Sequence, residues 1–396
     1  MKKLSLIILL LLFHFTFTDS VYAQKGFMEI RGKVVDAETG LPIEFATVYI
    51  SNTTLGTLTN KDGAFTIKNC PVGTYKILCS AIGYAISSKK VIIISEENIW
   101  IDFQVKVNPI KVNEITVTGQ DPAAWKNSLR KFKREFIGNS KASFECELVN
   151  PEVLDFTTEK KNLIATSSSP LILINRWLGY KLTVMLKEFS FNKNFSEGKY
   201  AIEPFFEELK SEDSTEIKHW NENRLKAYLG SFRHFLKSCA NRNLFEEGFA
   251  VTLTDTSTSG NILDVESKMI RSAKFKTNPA MFGQTRRMVD SAIAKILFKK
   301  NDSEFVLSYP DFIKVRYFNE SEEFNYKWYK EQMFYSTKLD DSQVTWLKFP
   351  KEKYSFNKNG IGIEGEYFQK QFLGYWAWKR VGDLLPDDYE LPKDDE

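Results

Sequence analysis

The sequence predicts a multidomain protein, with an N-terminal all-β sandwich followed by a strand-rich α+β C-terminal region. Three observations support this fold class. Between Ile30 and Tyr84, short runs of β-forming residues alternate with turn residues about every ten positions, as in a small sandwich. Apolar residues then recur at helical spacing within residues 125–136. Strict alternation of apolar and polar residues returns within residues 180–186.

Residues 1–23 have the pattern of a signal peptide. Lys2 and Lys3 precede an apolar run over residues 4–17, and small residues follow at the expected cleavage site. The apolar run is shorter than the ~20 residues that a membrane-spanning helix needs. We therefore expect an exported protein that begins at Gln24 and lies in the periplasm, at the outer membrane or on the cell surface. No integral membrane domain is expected.

The composition excludes some partners and leaves the cysteine chemistry partly open. A formal net charge of +3 over 396 residues gives no electrostatic reason to expect nucleic acid as a partner.

With Cys70 at a turn, Cys79 lies roughly 17 Å along the next strand. A disulfide needs Cα atoms within about 7 Å, so both thiols are expected to be free and buried. Pairing of Cys146 with Cys239 stays open, and no cysteine pair has metal-ligand spacing.

Residues 27–118 form the first predicted domain, and its turns are marked by residues suited to turns. Aspartate accepts backbone N–H groups in Asx turns, glycine allows positive φ, and proline suits the start of an edge strand. A hairpin is expected between residues 54–59 and 64–69, closed by residues 60–63. The predicted structural turn residues of the sandwich are Asp36, Gly40, Pro42, Asp62, Gly63, Pro71, Gly73 and Gly83.

The combination of these turns resembles a known family. The matching motifs are Gly32-x-Val34-x-Asp36, Thr39-Gly40-x-Pro42, Ala46-x-Val48, Asp62-Gly63-x-Phe65, Gly73-x-Tyr75 and Ile82-Gly83-Tyr84. Together they resemble the carboxypeptidase-regulatory-like domain, a transthyretin-like (Ig-like) β-sandwich found beside many different partners in bacterial envelope proteins. The resemblance covers roughly a quarter of the chain. It implies the sandwich fold and no peptidase machinery, despite the family's name.

The segment after this domain has two interpretations. Residues 112–119 are favoured as a final strand that leads into a linker. In envelope transporters of the TonB-dependent kind, the resembled domain precedes a similar segment, a plug and a large barrel. The chain after residue 119 is too short for a plug and such a barrel. A complete transporter of this kind is therefore not expected. An outer-membrane-associated component related to TonB-dependent systems stays an alternative.

The rest of the chain is predicted as a linker helix over residues 119–140 and an α+β domain of unknown function over residues 141–396. Further helices are expected over residues 216–242 and 284–297. Strands are expected within residues 144–191 and 304–363. Segments of this region resemble the C-terminal parts of uncharacterised exported proteins that carry the same N-terminal domain. That resemblance concerns architecture and implies no catalytic residues.

The sequence favours no catalytic, metal or cofactor site. His219 and Glu222 form an H-x-x-E pair of the kind that binds zinc, but zinc catalysis needs a third protein ligand. The expected mature chain has one other histidine, His234, within the same predicted helix. The loop at residues 60–63 offers calcium a single carboxylate, whereas calcium needs six to eight oxygens. We therefore expect no enzyme activity and no cofactor, with a zinc carboxypeptidase as the enzymatic alternative.

Aromatic residues near the C-terminus allow one binding hypothesis. Trp376 and Trp378, like Phe324, Tyr326 and Trp328, have spacings that suit either a sugar-stacking platform or one core-facing side of a strand. The favoured function is a non-catalytic exported cell-envelope protein whose sandwich is a docking or structural module for a protein partner. A glycan- or peptide-binding protein that uses the C-terminal aromatics is the alternative. A small outer-membrane barrel disagrees with the acidic, proline-containing tail.

Overall fold

A computed structural model of the chain describes residues 28–71, 73–93, 99–108, 122–192, 197–254, 282–326, 328, 330–331, 342–363 and 371–392. These residues form an N-terminal β-sandwich and a larger part of strands and helices, here called the body, which confirms the predicted fold class. The predicted signal peptide, the segment 112–119 and residues 332–341 of the stretch 304–363, in which strands are expected, lie outside the described residues.

The sandwich consists of two sheets with different strand orders. One sheet has the order β4-β1-β7, with β8 also paired to β1, and the other has the order β3-β2-β5-β6. The strands are β1 (Met28–Asp36), β2 (Thr47–Ile50), β3 (Gly56–Leu58), β4 (Ala64–Cys70), β5 (Gly73–Ser80), β6 (Ser87–Ile93), β7 (Ile99–Trp100) and β8 (Phe103–Val105). Alternate residues of β1 are buried, as expected of a strand with one face on a core.

The expected hairpin across residues 60–63 is wrong in its pairing. The turn itself is present, since Asn60 accepts the Gly63 N–H through its backbone oxygen at 2.9 Å. However, β3 pairs with β2 and β4 pairs with β1, so the turn connects the two sheets. Local turn chemistry specifies the reversal of the chain, but packing of the two sheets decides which strands become partners.

The first sheet of the body is built around one long strand. Its order is β10-β11-β13-β12-β9, and β14 pairs with β13 along its whole length. A short 3₁₀ turn (Pro151–Val153) precedes β10. The strands are β9 (Cys146–Leu148), β10 (Leu154–Glu159), β11 (Asn162–Ser167), β12 (Leu171–Asn175), β13 (Tyr180–Asn192) and β14 (Glu197–Glu208).

Helix α1 (Pro122–Phe136) packs on this sheet and is followed by the short helix α2 (Lys141–Phe144). The Phe132 ring is stacked on Phe136, and its centroid lies 4.7 Å from that of Phe189 in β13. Phe132 and Phe136 are both fully buried. The predicted linker helix is therefore part of the core of the body.

The second half of the body has its own core. Two sheets, of orders β15-β18-β19-β21 and β16-β17-β20, enclose it together with helices α4 and α5. The remaining elements of the chain are α3 (Ser214–Tyr228), α4 (Phe232–Asn241), β15 (Phe249–Leu253), α5 (Phe282–Ile296), β16 (Leu297–Lys299), β17 (Glu304–Ser308), β18 (Ile313–Tyr317), β19 (Gln343–Lys348), β20 (Lys353–Asn357), β21 (Gln371–Gly374), α6 (Tyr375–Trp378) and the 3₁₀ turn Val381–Asp383. None of the described helices is long and apolar enough to cross a membrane.

The single helix expected over residues 216–242 is wrong, because the chain forms α3 and α4 with a break between them. Gly230 adopts φ +70°, and a Cβ there would lie 2.5 Å from the Tyr317 ring. Ser231 then caps α4 by accepting the His234 N–H at 3.2 Å. The apolar spacing continued through the break, but the Gly-Ser pair is itself a stop and start signal. Helix α5 confirms the third helix predicted from the sequence.

Candidate functional site

The sandwich is fixed to the body through a small buried cluster. Tyr49 of β2 and Leu78 of β5 pack against Met185 of β13 and Phe205 of β14. The rings of Tyr49 and Phe205 are stacked, with centroids 4.9 Å apart and planes 30° apart. Gly56 allows this approach, because a Cβ there would lie 2.6 Å from the Phe205 ring. We call this contact the docking interface.

Backbone groups and one ion-pair network hold the same interface. The Asn52 N–H donates to the Pro204 oxygen at 2.7 Å, and the Phe206 N–H donates to the Thr53 oxygen at 3.0 Å. Glu203 is 1% exposed and ion-pairs with Lys76 from the sandwich and with Lys187 from the body. Burying a carboxylate this deeply is unfavourable unless cations offset its lost hydration. These contacts therefore fix the orientation of the sandwich on the body.

The C-terminal tail, residues 384–392, closes over the junction of the sandwich and the body. The Thr54 N–H and hydroxyl donate to the Asp388 carboxylate at 3.0 and 2.5 Å. On the other side, Arg233 of α4 donates to the backbone oxygens of Pro386 and Tyr389 at 2.9 and 3.0 Å. The tail thus ties the sandwich loop at Thr54 to helix α4.

An open cavity of about 310 Å³ lies where the sandwich loop, the body and the tail meet. Tyr180 and Glu208 face each other across the pairing of β13 with β14, and Asn221 and Arg224 come from α3. The volume falls at the lower end of the range of small-molecule sites. The residues that line it are Thr54, Tyr180, Glu208, Asn221, Arg224, Pro386, Asp388, Tyr389, Glu390 and Pro392.

Among the described residues that line the cavity, the one cation, Arg224, is already bound to protein groups. Arg224 lies over the Tyr180 ring, 4.1 Å from its centroid. Its Nε donates to the Leu178 oxygen at 2.8 Å, its Nη2 donates to the Gly179 oxygen at 3.1 Å, and its Nη1 pairs with Glu208 at 3.1 Å. Burial raises the pKa of Tyr180, so its hydroxyl stays neutral. Arg224 therefore orders the wall of the cavity.

Other groups in the lining are less committed. Within the described parts of the chain, the side chains of Asn221 and Glu390 have no hydrogen-bond or ion-pair partner, and both residues are exposed. Glu208 pairs with Arg224 through one oxygen only. The Tyr389 hydroxyl is buried and has no hydrogen-bond partner among the described residues. Burial also raises the pKa of Tyr389. The free groups are therefore chiefly hydrogen-bond acceptors.

The predicted turn residues lie in the sandwich, away from this cavity. Asp36 accepts the N–H groups of Glu38 and Thr39 at 2.9 and 2.8 Å. These bonds hold the pKa of the Asp36 carboxyl below its usual value. Pro42 forms an isolated bridge with Val35.

The remaining turn residues also lie at chain reversals of the sandwich. Gly40, Gly63 and Gly83 adopt positive φ of 69°, 69° and 84°. The Asp62 N–H donates to the Asn60 side chain at 3.0 Å, while Pro71 and Gly73 flank the turn from β4 to β5.

The two tryptophans singled out near the C-terminus are buried in a helix. Trp376 is 7% and Trp378 is 2% exposed, and both belong to α6. The Trp376 Nε1 donates to the Gly230 oxygen at 2.7 Å, which ties α6 to the break before α4. A glycan-binding role for this pair stays a prediction, and their burial gives it no support.

The histidines have contrasting environments. His219 and Glu222 are exposed on α3. His234 is buried, accepts the Gly230 N–H at Nδ1 and lies 3.1 Å from Glu247 through Nε2. Burial lowers the His234 pKa, although Glu247 opposes this shift. Within the residues that the structure describes, no group of three or more His, Cys, Asp or Glu side chains could hold a metal ion.

All four cysteines are free and buried, which confirms the prediction for Cys70 and Cys79 and answers the open question for Cys146 and Cys239. Burial raises the pKa of Cys70 to about 11 and that of Cys79 and Cys146 to about 12. Burial also raises the pKa of Cys239. Since a thiolate is the reactive form, these thiols are inert at neutral pH.

Sequence reasoning missed the docking interface and the cavity. Within β14, Glu203 is the one carboxylate of the otherwise apolar run 201–206, and a carboxylate so placed is a signal for a buried ion pair. The tail appeared only as an acidic segment with prolines. Nothing local in its sequence indicates that Asp388 meets Thr54, which lies 334 positions earlier.

Comparison with protein families assigns the sandwich. The model of the CarboxypepD_reg-like domain matches residues 30–117. The resemblance inferred from the turn motifs is therefore confirmed, and this chain contains a carboxypeptidase regulatory-like domain over those residues. No curated protein matches the chain.

Solved structures share only limited similarity with the chain. A streptococcal ancillary pilin is 14% identical over 21% of this chain and 33% of its own, with a TM-score of 0.19. An interface mutant of a type II cohesin–X-dockerin complex from Acetivibrio cellulolyticus is 18% identical over 29% and 76%, with a TM-score of 0.18. A DUF3823 family protein from Bacteroides ovatus is 9% identical over 46% and 82%, with a TM-score of 0.16. Scores this low support no argument about function, and this chain spans about a third of the pilin's length.

Proposed function

We propose that this chain is a non-catalytic exported protein of the bacterial cell envelope, in which the carboxypeptidase regulatory-like domain is a docking module for a protein partner. The observation that carries the proposal is the docking interface, the contact within this chain that fixes the sandwich to the body. A flexible spacer needs no defined contact with the domain behind it, whereas this sandwich has a buried cluster, backbone hydrogen bonds and an ion-pair network against the body. A binding surface on the sandwich is therefore presented in one orientation.

The surface and the ionisable groups support the same proposal. The sandwich exposes large apolar side chains, among them Phe45 at 69%, Ile82 at 95% and Trp100 at 61%. Such side chains favour contact with another protein when they lie close together. Among the candidate nucleophiles and bases, the thiols are buried and His234 is held between Gly230 and Glu247.

Export and envelope location rest on the signal-peptide pattern of residues 1–23. We expect the mature chain in the periplasmic or outer-membrane fraction, or at the cell surface. Relation to a TonB-dependent system is a finer alternative, which the identity of the captured partner would decide.

Site-specific photocrosslinking in cells tests the docking role. A benzophenone amino acid at position 100 reports on the sandwich, and the same group at position 298 is the matched control. Trp100 and Phe298 are both exposed aromatics, at 61% and 53%, on the sandwich and on the body. We expect a discrete crosslinked partner from position 100 and none from position 298. Equal labelling at both positions, or release of C-terminal amino acids from peptides by the purified chain, contradicts the proposal.

One observation favours a second candidate, a glycan-binding surface on the body. Phe324 and Trp328 are 69% and 66% exposed, and Tyr326 between them is buried. We propose that these two exposed rings, four positions apart in the chain, together form one aromatic surface. We expect retention on cell-wall glycan columns to fall in a Phe324→Ala/Trp328→Ala double variant. Unchanged retention of that variant excludes this surface.

A further inference from the structure

We propose that the cavity beneath the tail binds a basic side chain, the ammonium of a lysine or the guanidinium of an arginine, from a partner polypeptide. This inference rests on the proposed docking function and names the chemistry of the partner. It depends on three features of the cavity: its charge, the groups left uncommitted in its lining, and its position between the sandwich and the body.

The charge of the lining favours a cation. Among the described residues of the lining, Glu208, Asp388 and Glu390 contribute three carboxylates, against the guanidinium of Arg224. All three nitrogens of Arg224 already donate to protein oxygens, so this cation has little capacity left for an anionic ligand. Carboxylates in a partly enclosed space attract a positive group more strongly than carboxylates on an open surface.

The uncommitted groups favour a hydrogen-bond donor. Glu390 and the side-chain oxygen of Asn221 are free to accept among the described residues, as is the second carboxylate oxygen of Glu208. A lysine ammonium has three donors and no acceptor, and an arginine guanidinium has five donors. Either group therefore matches the lining, and neither leaves a ligand acceptor without a partner.

An independent feature is a pair of tyrosine hydroxyls without partners, that of Tyr389 in the cavity lining and that of Tyr228 beside it. The rings of Tyr228 and Tyr389 lie 5.9 Å apart. Tyr228 is 3% exposed, and neither hydroxyl has a hydrogen-bond partner within the described chain. A buried hydroxyl without a partner is unfavourable, so a donor that reaches the Tyr389 side of the cavity relieves that cost. The Tyr389 ring also offers a face for a cation.

The size and form of the cavity favour an organic cation over a metal ion. A volume of about 310 Å³ accommodates a charged head with its alkyl stem. Calcium needs six to eight oxygens at 2.3–2.6 Å, and no described group of three or more carboxylates, histidines or cysteines converges in this way. The prolines Pro386 and Pro392 supply apolar walls for the stem.

The position of the cavity links binding to docking. Its lining includes Thr54 of the sandwich, Arg224 of the body and Asp388 of the tail, and Asp388 already bonds to Thr54. A partner segment that inserts a basic side chain contacts all three parts at once. The source of the cation is therefore a polypeptide bound at this junction.

Titration of the intact mature chain with capped glycine pentapeptides tests the inference. The peptides carry a central lysine, arginine or norleucine, and the amide resonances of the cavity lining report binding. We expect saturable shifts at Thr54 and in the tail with the two basic peptides, and binding by norleucine at least about tenfold weaker. Spermidine is the second arm: spermidine that binds more tightly than either peptide overturns the polypeptide source.

Matched variants make the result specific. Glu390→Gln removes a lining carboxylate that has no described partner, and Glu159→Gln removes an exposed carboxylate from the last residue of β10. We expect about fivefold to tenfold weaker peptide binding for Glu390→Gln and less than a twofold change for Glu159→Gln. Equal binding by both variants, or equal binding of norleucine, overturns the site.

The outcome is separable from that of the docking proposal. Specific crosslinks from position 100 with no peptide binding overturn the cation site and leave the docking function. Peptide binding without any crosslink from position 100 overturns the sandwich as the docking surface and leaves the cation site.

Discussion

Replacement of Phe205 with alanine should separate the sandwich from the body without disturbing either core. Phe205 is 7% exposed, stacks on Tyr49 at 4.9 Å and covers Gly56. Truncating a buried phenylalanine costs about 3–5 kcal/mol, of which an aromatic pair contributes about 0.5–1.5 kcal/mol. Since the remaining cluster is only Tyr49, Leu78 and Met185, we expect a loss of about 3 kcal/mol.

Hydrogen exchange with mass spectrometry can read the two parts separately, alongside unfolding of the mature chain in denaturant. In the unaltered protein, we expect the sandwich to gain protection from the docking interface. In Phe205→Ala, the sandwich should open at lower denaturant concentration while the core around Phe132 keeps its protection. The loss should be largest in β2 and β5, whose residues Tyr49 and Leu78 contact Phe205.

The control is Phe298→Ala, because Phe298 is 53% exposed on β16 and contributes little to packing. It should change the free energy of unfolding by no more than about 0.5 kcal/mol. A loss below about 1 kcal/mol for Phe205→Ala, or equal loss of protection in the sandwich and the body, would refute a structural docking interface.

Three further perturbations have expected outcomes in equilibrium unfolding. Gly63→Ala should cost about 2 kcal/mol, because φ is +69° and the new Cβ would lie 2.4 Å from the Val34 oxygen. Lys76→Met should cost about 2 kcal/mol, because it removes a cation that ion-pairs with the buried Glu203. As pH falls through about 6.5, the free energy of unfolding should decrease by up to about 1.4 kcal/mol per pH unit. The unfolded chain binds a proton at His234 in this range, whereas the folded chain does not, because burial lowers the His234 pKa.

Each of these predictions has a matched control. Gly40 has the same φ of 69° but open space around it, so Gly40→Ala should cost only about 1 kcal/mol. Replacing Glu203 as well should recover part of the Lys76→Met loss in a double-mutant cycle. His234→Gln should flatten the pH profile, because it removes the buried group whose pKa is lowered. A similar cost at both glycines, additive losses in the cycle, or an unchanged pH profile would contradict the respective argument.

The fold class could be predicted because its signals are local. Turn residues such as Asp36 and Gly63 make particular hydrogen bonds or adopt positive φ, and the residue type alone indicates these preferences. The core strands likewise show their period of two. The predicted pairing across residues 60–63 was wrong because it depends on distant parts of the chain. Packing of the two sheets, and not the turn that joins β3 to β4, determines which strands they pair with.

The candidate site could not be predicted in the same way. Arg224 looks like a surface residue of a helix, yet it is 7% exposed and stacks on Tyr180. Trp376 and Trp378 look like a platform, yet the helix α6 turns both indoles into the interior. Burial depends on which elements pack together, and the sequence pattern of one element does not contain that information.

By itself the sequence determined the leader pattern, the β-sandwich with its turns, and the mixture of helices and strands behind it. Only the tertiary structure decided that the sandwich is fixed to the body, that Asp388 reaches Thr54, and that a cavity lies between them. The physical reason is the separation along the chain of the residues that interact. Turns and amphipathic periods depend on neighbours a few residues apart, whereas the interface depends on apolar burial and ion pairing between residues that only folding brings together.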